Sequence, residues 1–142
     1  MTHTRIKILV IILLLPFLVG FGAVNHETIN TSLINLIATP DKFHGKIVRV
    51  IGVSNIEFEG NGIYLSKEHL INRVTKNALW LSLNFKIIGK SEEELSKYNG
   101  QYVLVEGVFN KDDKGHMGLK SGSINNVTRF MPWPPAMTTR QN

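Results

Sequence analysis

Two stretches of the chain repeat one another at an offset of 55 residues. Phe43-His44-Gly45-Lys46-Ile47-Val48-Arg49-Val50-Ile51-Gly52-Val53 aligns with Tyr98-Asn99-Gly100-Gln101-Tyr102-Val103-Leu104-Val105-Glu106-Gly107-Val108, and Gly60 then falls on Gly115. Each copy runs from an aromatic residue through a turn glycine, a β-branched stretch and a mid-strand glycine to a glycine-bearing loop. β-Branched and aromatic residues fit the pleated, half-buried surface of a strand. A glycine in mid-strand weakens it unless the chain must bend sharply there, as at a barrel corner. Two long strands that both bend suit a small closed barrel better than a flat sheet.

The segments between and around the repeats supply the other elements. Thr31 or Ser32 is placed to cap a short helix in which Leu33, Ile34, Leu36 and Ile37 recur at helical spacing. That helix must end before Pro40, because the residue preceding a proline is pushed out of helical geometry. Lys46–Val53 reads as the first strand, Glu57–Gly62 as a hairpin connection and Ile63–Leu65 as a short second strand. A helix capped by Ser66 is expected to run to Val74. Ala78–Leu83 alternates strictly and reads as the third strand. Ser91 and Glu94 have the spacing of a capping box, which predicts a helix ending near Tyr98. Gln101–Phe109 is the fourth strand, Asn110–Gly115 an exposed turn, and Met117–Phe130 a fifth strand interrupted at Gly122. Three strands, a helix and two strands form the order of the five-stranded Greek-key barrel called the OB-fold. The fold class expected is therefore mainly β with short helices, an OB-like barrel over residues 32–130.

The same region carries a motif. In the form P-x-x-[Y/F]-x-G-K-x-V-x-V-x-G it consists here of Pro40, Phe43, Gly45, Lys46, Val48, Val50 and Gly52. In this pattern the chain resembles a group of small exported bacterial OB-fold-like proteins, and the resemblance spans roughly Ser32 to Phe130. It implies a five-stranded barrel and a binding module, not a reaction type. The expected helix between the second and third strands is an insertion relative to a minimal barrel of that kind.

Ahead of the barrel, His3, Arg5 and Lys7 precede the aliphatic run Ile8–Phe21, and small residues (Gly20, Gly22, Ala23) follow. A basic start, an apolar stretch and a small-residue end make a secretory signal peptide over residues 1–23. The competing reading is an uncleaved anchor: Ile8–Val24 is 17 residues long, at the lower limit for spanning a bilayer. Both readings place the remainder outside the cytoplasm, periplasmic or secreted, with membrane contact only through residues 8–24 if the segment is kept. Residues 24–31 read as a polar linker, and residues 131–142, with three prolines, as an extended tail.

Composition limits the chemistry. The sequence holds 142 residues and no cysteine, which removes thiol nucleophiles, Cys-ligated zinc and iron–sulfur clusters. The formal charge is +5, but Arg5 and Lys7 belong to the targeting segment, leaving +3 on 14 basic and 11 acidic residues. The basic residues are scattered, which argues against a nucleic-acid face. There is no G-x-S-x-G elbow, P-loop or G-x-G-x-x-G, and no cofactor is expected. The five histidines (His3, His26, His44, His69, His116) form no spaced pair, and no metal site is expected.

The candidate ligand-binding residues are Tyr64, Trp80, Arg49 and His116. Leu79, Leu81, Ile63 and Leu65 should face the barrel interior, leaving Tyr64 and Trp80 on the outside as a stacking platform for a sugar, a base or a peptide side chain. The bland alternative is that the inserted helix covers both. His116 lies in a glycine-rich turn and has the chemistry of a ligand or proton carrier. Glu57 and Glu59 alternate around Phe58 and either act as a carboxylate pair or simply wet a hairpin. Arg49 and Glu106 sit mid-strand in the two repeats, where a cross-strand ion pair is the ordinary explanation. With no catalytic grouping, the expected function is a non-catalytic exported module that recognises a protein or envelope component, an inhibitor or immunity-type protein being a sharper version. Oligosaccharide or oligonucleotide binding on the barrel face is the alternative.

Overall fold

β2 (Ile47–Asn55) is the strand on which the fold turns, because it pairs with three others. The computed structural model describes residues 27–136. The targeting segment 1–23, the first part of the linker and residues 137–142 lie outside the described residues.

Along one edge, Ile47–Val53 of β2 pairs antiparallel with β5 (Tyr102–Asn110). Along the other, Val53–Asn55 pairs antiparallel with β3 (Gly62–Tyr64). β3 pairs with β4 (Ala78–Leu81), β4 runs parallel to β6 (Ser123–Pro132), and β6 returns antiparallel to β5. The ring β2–β3–β4–β6–β5 is thereby closed, a five-stranded mixed barrel with an OB-like strand order. β1 (Ile29–Asn30) adds in parallel at Val48 and Arg49, on the part of the β2 edge that β3 does not reach. These two residues fall within the segment expected to be linker.

Both mid-strand glycines sit where the barrel bends. At Gly52 a Cβ would lie 2.6 Å from Leu33 Cδ1, 2.7 Å from Ile63 Cγ1 and 2.8 Å from the Tyr64 carbonyl oxygen. Here β2 leaves β5 for β3. At Gly107 a Cβ would lie 2.7 Å from the Asn125 carbonyl oxygen, and the β5–β6 register breaks between Glu106 and Val108. Glu106 faces Arg129 and Val108 faces Asn125, so the three residues Asn126–Thr128 stand opposite one glycine, with Val127 turned into the core.

The interior is filled by alternate residues of these strands, among them Val48, Val50, Val103, Val105, Phe109, Ile124, Leu79 and Leu81. Short helices cover what the strands leave open. α1 (Leu33–Ala38) is capped by Ser32, whose Oγ accepts from the Asn35 N–H at 3.2 Å, and buries Leu33 and Leu36. α2 (Lys67–Ile71) lies between β3 and β4 and ends three residues short of the expected Val74. α3 (Phe85–Ile88) and α4 (Glu92–Ser96) form the connection from β4 to β5, with Leu95 fully buried and Phe85 and Ile88 packed on the core. The expected capping box is present: Glu94 Oε2 accepts from the Ser91 N–H at 2.8 Å and Ser91 Oγ from the Glu94 N–H at 3.2 Å. Among the described residues no helix is long and apolar enough to cross a membrane.

Three further boundaries differ from expectation. α3 takes residues outside the expected elements, because Asn84 caps it and Gly89, at φ +71°, ends it. The fifth strand begins at Ser123, since His116–Gly118 forms a tight turn with Met117 at φ +56°. It continues through Met131 and Pro132, which pair with Leu104 and Val103, so the strand reaches into the segment read as tail.

Replacing either bend glycine by alanine overpacks the interior against backbone as well as side chains. Gly52→Ala and Gly107→Ala are each expected to destabilise the fold by about 1–3 kcal/mol, seen as a lower urea midpoint with an unchanged slope.

Candidate functional site

The loop β2–β3, the helix α2 and the loop β5–β6 converge on one end of β3 and β4 and enclose a cleft of about 360 Å³. The first wall is built by asparagines. Asn61 Oδ1 accepts from the Glu57 N–H at 3.1 Å, and Asn55 Nδ2 donates to Glu57 Oε1 at 2.7 Å. From the other side, Asn99 pairs in both directions with the backbone of Ile56, at 2.7 and 3.0 Å. The loop is thus tied at its base, and Phe58 at its tip is 86% exposed.

The second wall is α2 and the turn after it. Ser66 Oγ accepts from the His69 N–H at 3.3 Å, and the His69 ring lies between Ser66 Oγ and Asn77 Nδ2 at 3.3 and 3.2 Å. His69 is therefore a spacer that holds the helix to the sheet. Leu70 packs on Val53, Tyr64 and Ala78, a small apolar cluster outside the barrel. Ile71 points away from it and is 77% exposed.

The third wall is the β5–β6 loop. Asn110 Oδ1 accepts from the N–H groups of Asp112 and Asp113 at 2.9 and 3.3 Å, and Asp113 Oδ1 from that of Gly115 at 3.0 Å. Gly115, at φ +68°, lies flat against the Trp80 ring, where a Cβ would collide with the indole. Lys120 folds back over the same ring, its ammonium 5.0 Å from the centroid, a cation–π contact. Met117 is 78% exposed, and Leu119 beside it is also exposed.

The four residues expected to bind ligand fall in different places. Tyr64 is only 5% exposed, its ring covered by Leu70, although its edge reaches the cleft. Trp80 is half-buried between Gly115 and Lys120. His116 stands on the rim, with Nε2 3.5 Å from Glu59 Oε2, and so links the first and third walls when protonated. Arg49 lies outside this cleft, on the face of β2 that packs beside β5, where its Nε and Nη2 donate to Glu106 Oε2 at 2.8 and 2.7 Å. The ion pair expected between these two strands is formed. Phe58, Ile71, Met117, Leu119 and Lys120 were not among the expected site residues. Two large apolar side chains in polar loops, Phe58 in EFEGN and Met117 in GHMGL, were the available signal.

The electrostatics follow from burial. The Tyr64 hydroxyl is held above its ordinary value of 10.0, chiefly by burial and secondarily by the Glu57 carboxylate. Burial pushes the Lys120 ammonium below 10.5, and Glu57 opposes that shift. Among the described residues no three His, Asp or Glu side chains come together to hold a metal ion. Comparison with known proteins finds no family model, curated protein or solved structure that matches the chain.

These two shifts act on stability in opposite directions. Unfolded Tyr64 releases its proton at 10.0 and folded Tyr64 later, so its contribution is complete below pH 10 and is lost as pH rises through the folded value. Folded Lys120 releases its proton before the unfolded chain does, so stability rises with pH between the folded value and 10.5. In urea unfolding followed from about pH 8 to 11, Tyr64→Phe is expected to remove part of the alkaline loss and Lys120→Met the rise that precedes it.

Proposed function

We propose that the chain is a non-catalytic binding module that recognises a protein partner through the rim of this cleft, on the outer side of the cytoplasmic membrane. The observation that carries the reading is the clustering of Phe58, Ile71 and Leu119 on the cleft, with the exposed Met117 on the same loop as Leu119. Phe58, Ile71 and Leu119 come from three separate segments and line one concavity, although nothing in the barrel core requires them there. Exposed apolar residues scattered singly need no explanation, whereas a contiguous group rimmed by polar residues is the usual mark of an interaction surface. The rim residues also stand on loops fixed by internal hydrogen bonds, so little ordering would accompany binding.

The alternative of an oligosaccharide or oligonucleotide ligand needs flat aromatic faces on which rings can stack. Tyr64 lies under Leu70, and Trp80 lies between Lys120 and Gly115, so neither presents such a face. The position outside the membrane rests on the apolar segment that begins at Ile8 and on the resemblance to small exported OB-fold-like proteins. A module of this size without catalytic groups suits an inhibitor or immunity-type protein that plugs a partner enzyme.

Capture from an envelope extract with the full chain, tagged at its C-terminus, is expected to return one stoichiometric protein. The double substitution Phe58→Asp and Ile71→Asp is expected to weaken that capture more than about tenfold, the range of interface hot spots. The same substitutions should leave the urea midpoint unchanged, because both side chains already face solvent. Retention on peptidoglycan or polysaccharide with no protein partner would overturn the reading.

A further inference from the structure

The outer face of the sheet β1–β2–β5–β6 carries a second concave surface, and cross-strand register arranges it in rungs. Arg49 on β2 faces Glu106 on β5, which faces Arg129 on β6. Two residues along each strand, Ile51 faces Leu104, which faces Met131. Beyond them the Trp133 N–H donates to the Tyr102 carbonyl at 2.9 Å. Residues two apart on a strand share a face, so the rungs all project from the outside of the barrel. Asn30, Thr31 and Ser32 border them on the β1 side, and the resulting groove has a volume of about 770 Å³.

The groove has a charged end and an apolar length. Glu106 is engaged by Arg49, whereas the Arg129 side chain makes no ion pair or hydrogen bond among the described residues. Two guanidinium groups against one carboxylate leave the charged rung with a net positive charge and one planar fork free. Such a fork matches a carboxylate or phosphate through paired N–H donors. The apolar rung is open to solvent on the β2 side, where Ile51 is 40% exposed, and Trp133 supplies a large ring beside it. The outward face of a barrel strand is ordinarily polar. The volume falls in the range of pockets that hold one small molecule, about 300–1,000 Å³.

We propose that this groove binds a single-chain anionic amphiphile, an aliphatic tail ending in a carboxylate or phosphate. The head sits at Arg129 and Arg49, and the tail lies along Ile51, Leu104 and Met131 against Trp133. The groove shares no residue with the cleft, so this assignment stands or falls separately from the protein-recognition reading.

The test uses the full chain fused behind a soluble carrier that lacks tryptophan. Trp80→Phe then makes Trp133 the sole reporter, since the chain has two tryptophans. Dodecyl phosphate and laurate, both kept below micelle formation, are titrated against dodecyl maltoside as the neutral control. The expected result is a saturable, one-to-one blue shift with both anionic amphiphiles and binding of the maltoside at least about tenfold weaker. Arg129→Gln should weaken the anionic ligands about tenfold and leave the maltoside unchanged, while Arg129→Lys recovers part of the loss. Met131→Glu should abolish the shift, and Phe58→Asp should not alter it. Calorimetric titration of the chain with Trp80 intact should return the same stoichiometry. Equal binding of the maltoside, indifference to Arg129→Gln or absence of a saturable change would each overturn the proposal. A shift seen with vesicles of anionic phospholipid and never with the monomeric amphiphiles would also overturn it, and would assign the face to a membrane surface.

Discussion

The structure depends on β2 serving two edges at once. Val53 is paired on one side with Tyr64 of β3 and on the other with Tyr102 of β5. A strand that joins both halves of a ring must curl, and close-packed interiors leave no slack for the side chain that a curl turns inward. Gly52 supplies the missing volume on β2, and Gly107 does so on β5, where three residues of β6 pass over one. With those bends in place every strand of the ring has two neighbours, and β1 covers part of the β2 edge that β3 does not reach. The helices can then be short, because they close openings and carry no sheet of their own.

The same closure decides which surfaces remain for recognition. α2 enters between β3 and β4 and lays Leu70 across Val53, Tyr64 and Ala78, so the outward side of β3 becomes a second, smaller core. Trp80 is treated alike by the β5–β6 loop. What an OB-like barrel would offer as a flat face is here a set of walls, and the exposed apolar groups are moved to the loop tips above it. On the reading proposed above, this shift favours a partner with relief, such as another protein, over a planar ring.

Much of this was legible from residue patterns, for identifiable reasons. The paired glycine-bearing segments announced the two bent strands because only a bend explains glycine amid valines. Ser91 and Glu94 announced α4 because the capping box is a local hydrogen-bond exchange that needs no tertiary context. The Arg49–Glu106 pair followed from two opposite charges on neighbouring strands. Other features depend on distant partners. Ile29 and Asn30 form a strand only because β2 has a vacant stretch of edge beside them. The burial of Tyr64 is decided by where α2 packs, which its five residues do not encode. Asn84 and Gly89 did carry the start and stop signals of α3, but the helix between them is one turn long, too short for periodicity to register.

The two concave surfaces differ in how they are made, and the difference bears on what each can hold. The cleft is walled by loops and α2, with Glu57 and Lys120 among its lining and the His116–Glu59 pair beside the apolar groups of its rim. Complementing it requires a partner that brings apolar anchors around a polar centre. The groove is made of strand residues, with polar groups at one end and apolar ones along its length. Hydrogen-bonded ladders hold those side chains at fixed spacing, so the groove suits a ligand with one charged end and one extended tail. β2 contributes to both, Asn55 to the cleft and Ile51 to the groove, with the bend at Gly52 between them. The two surfaces share no lining residue. A chain of this size thus presents two separate concave surfaces on a single barrel.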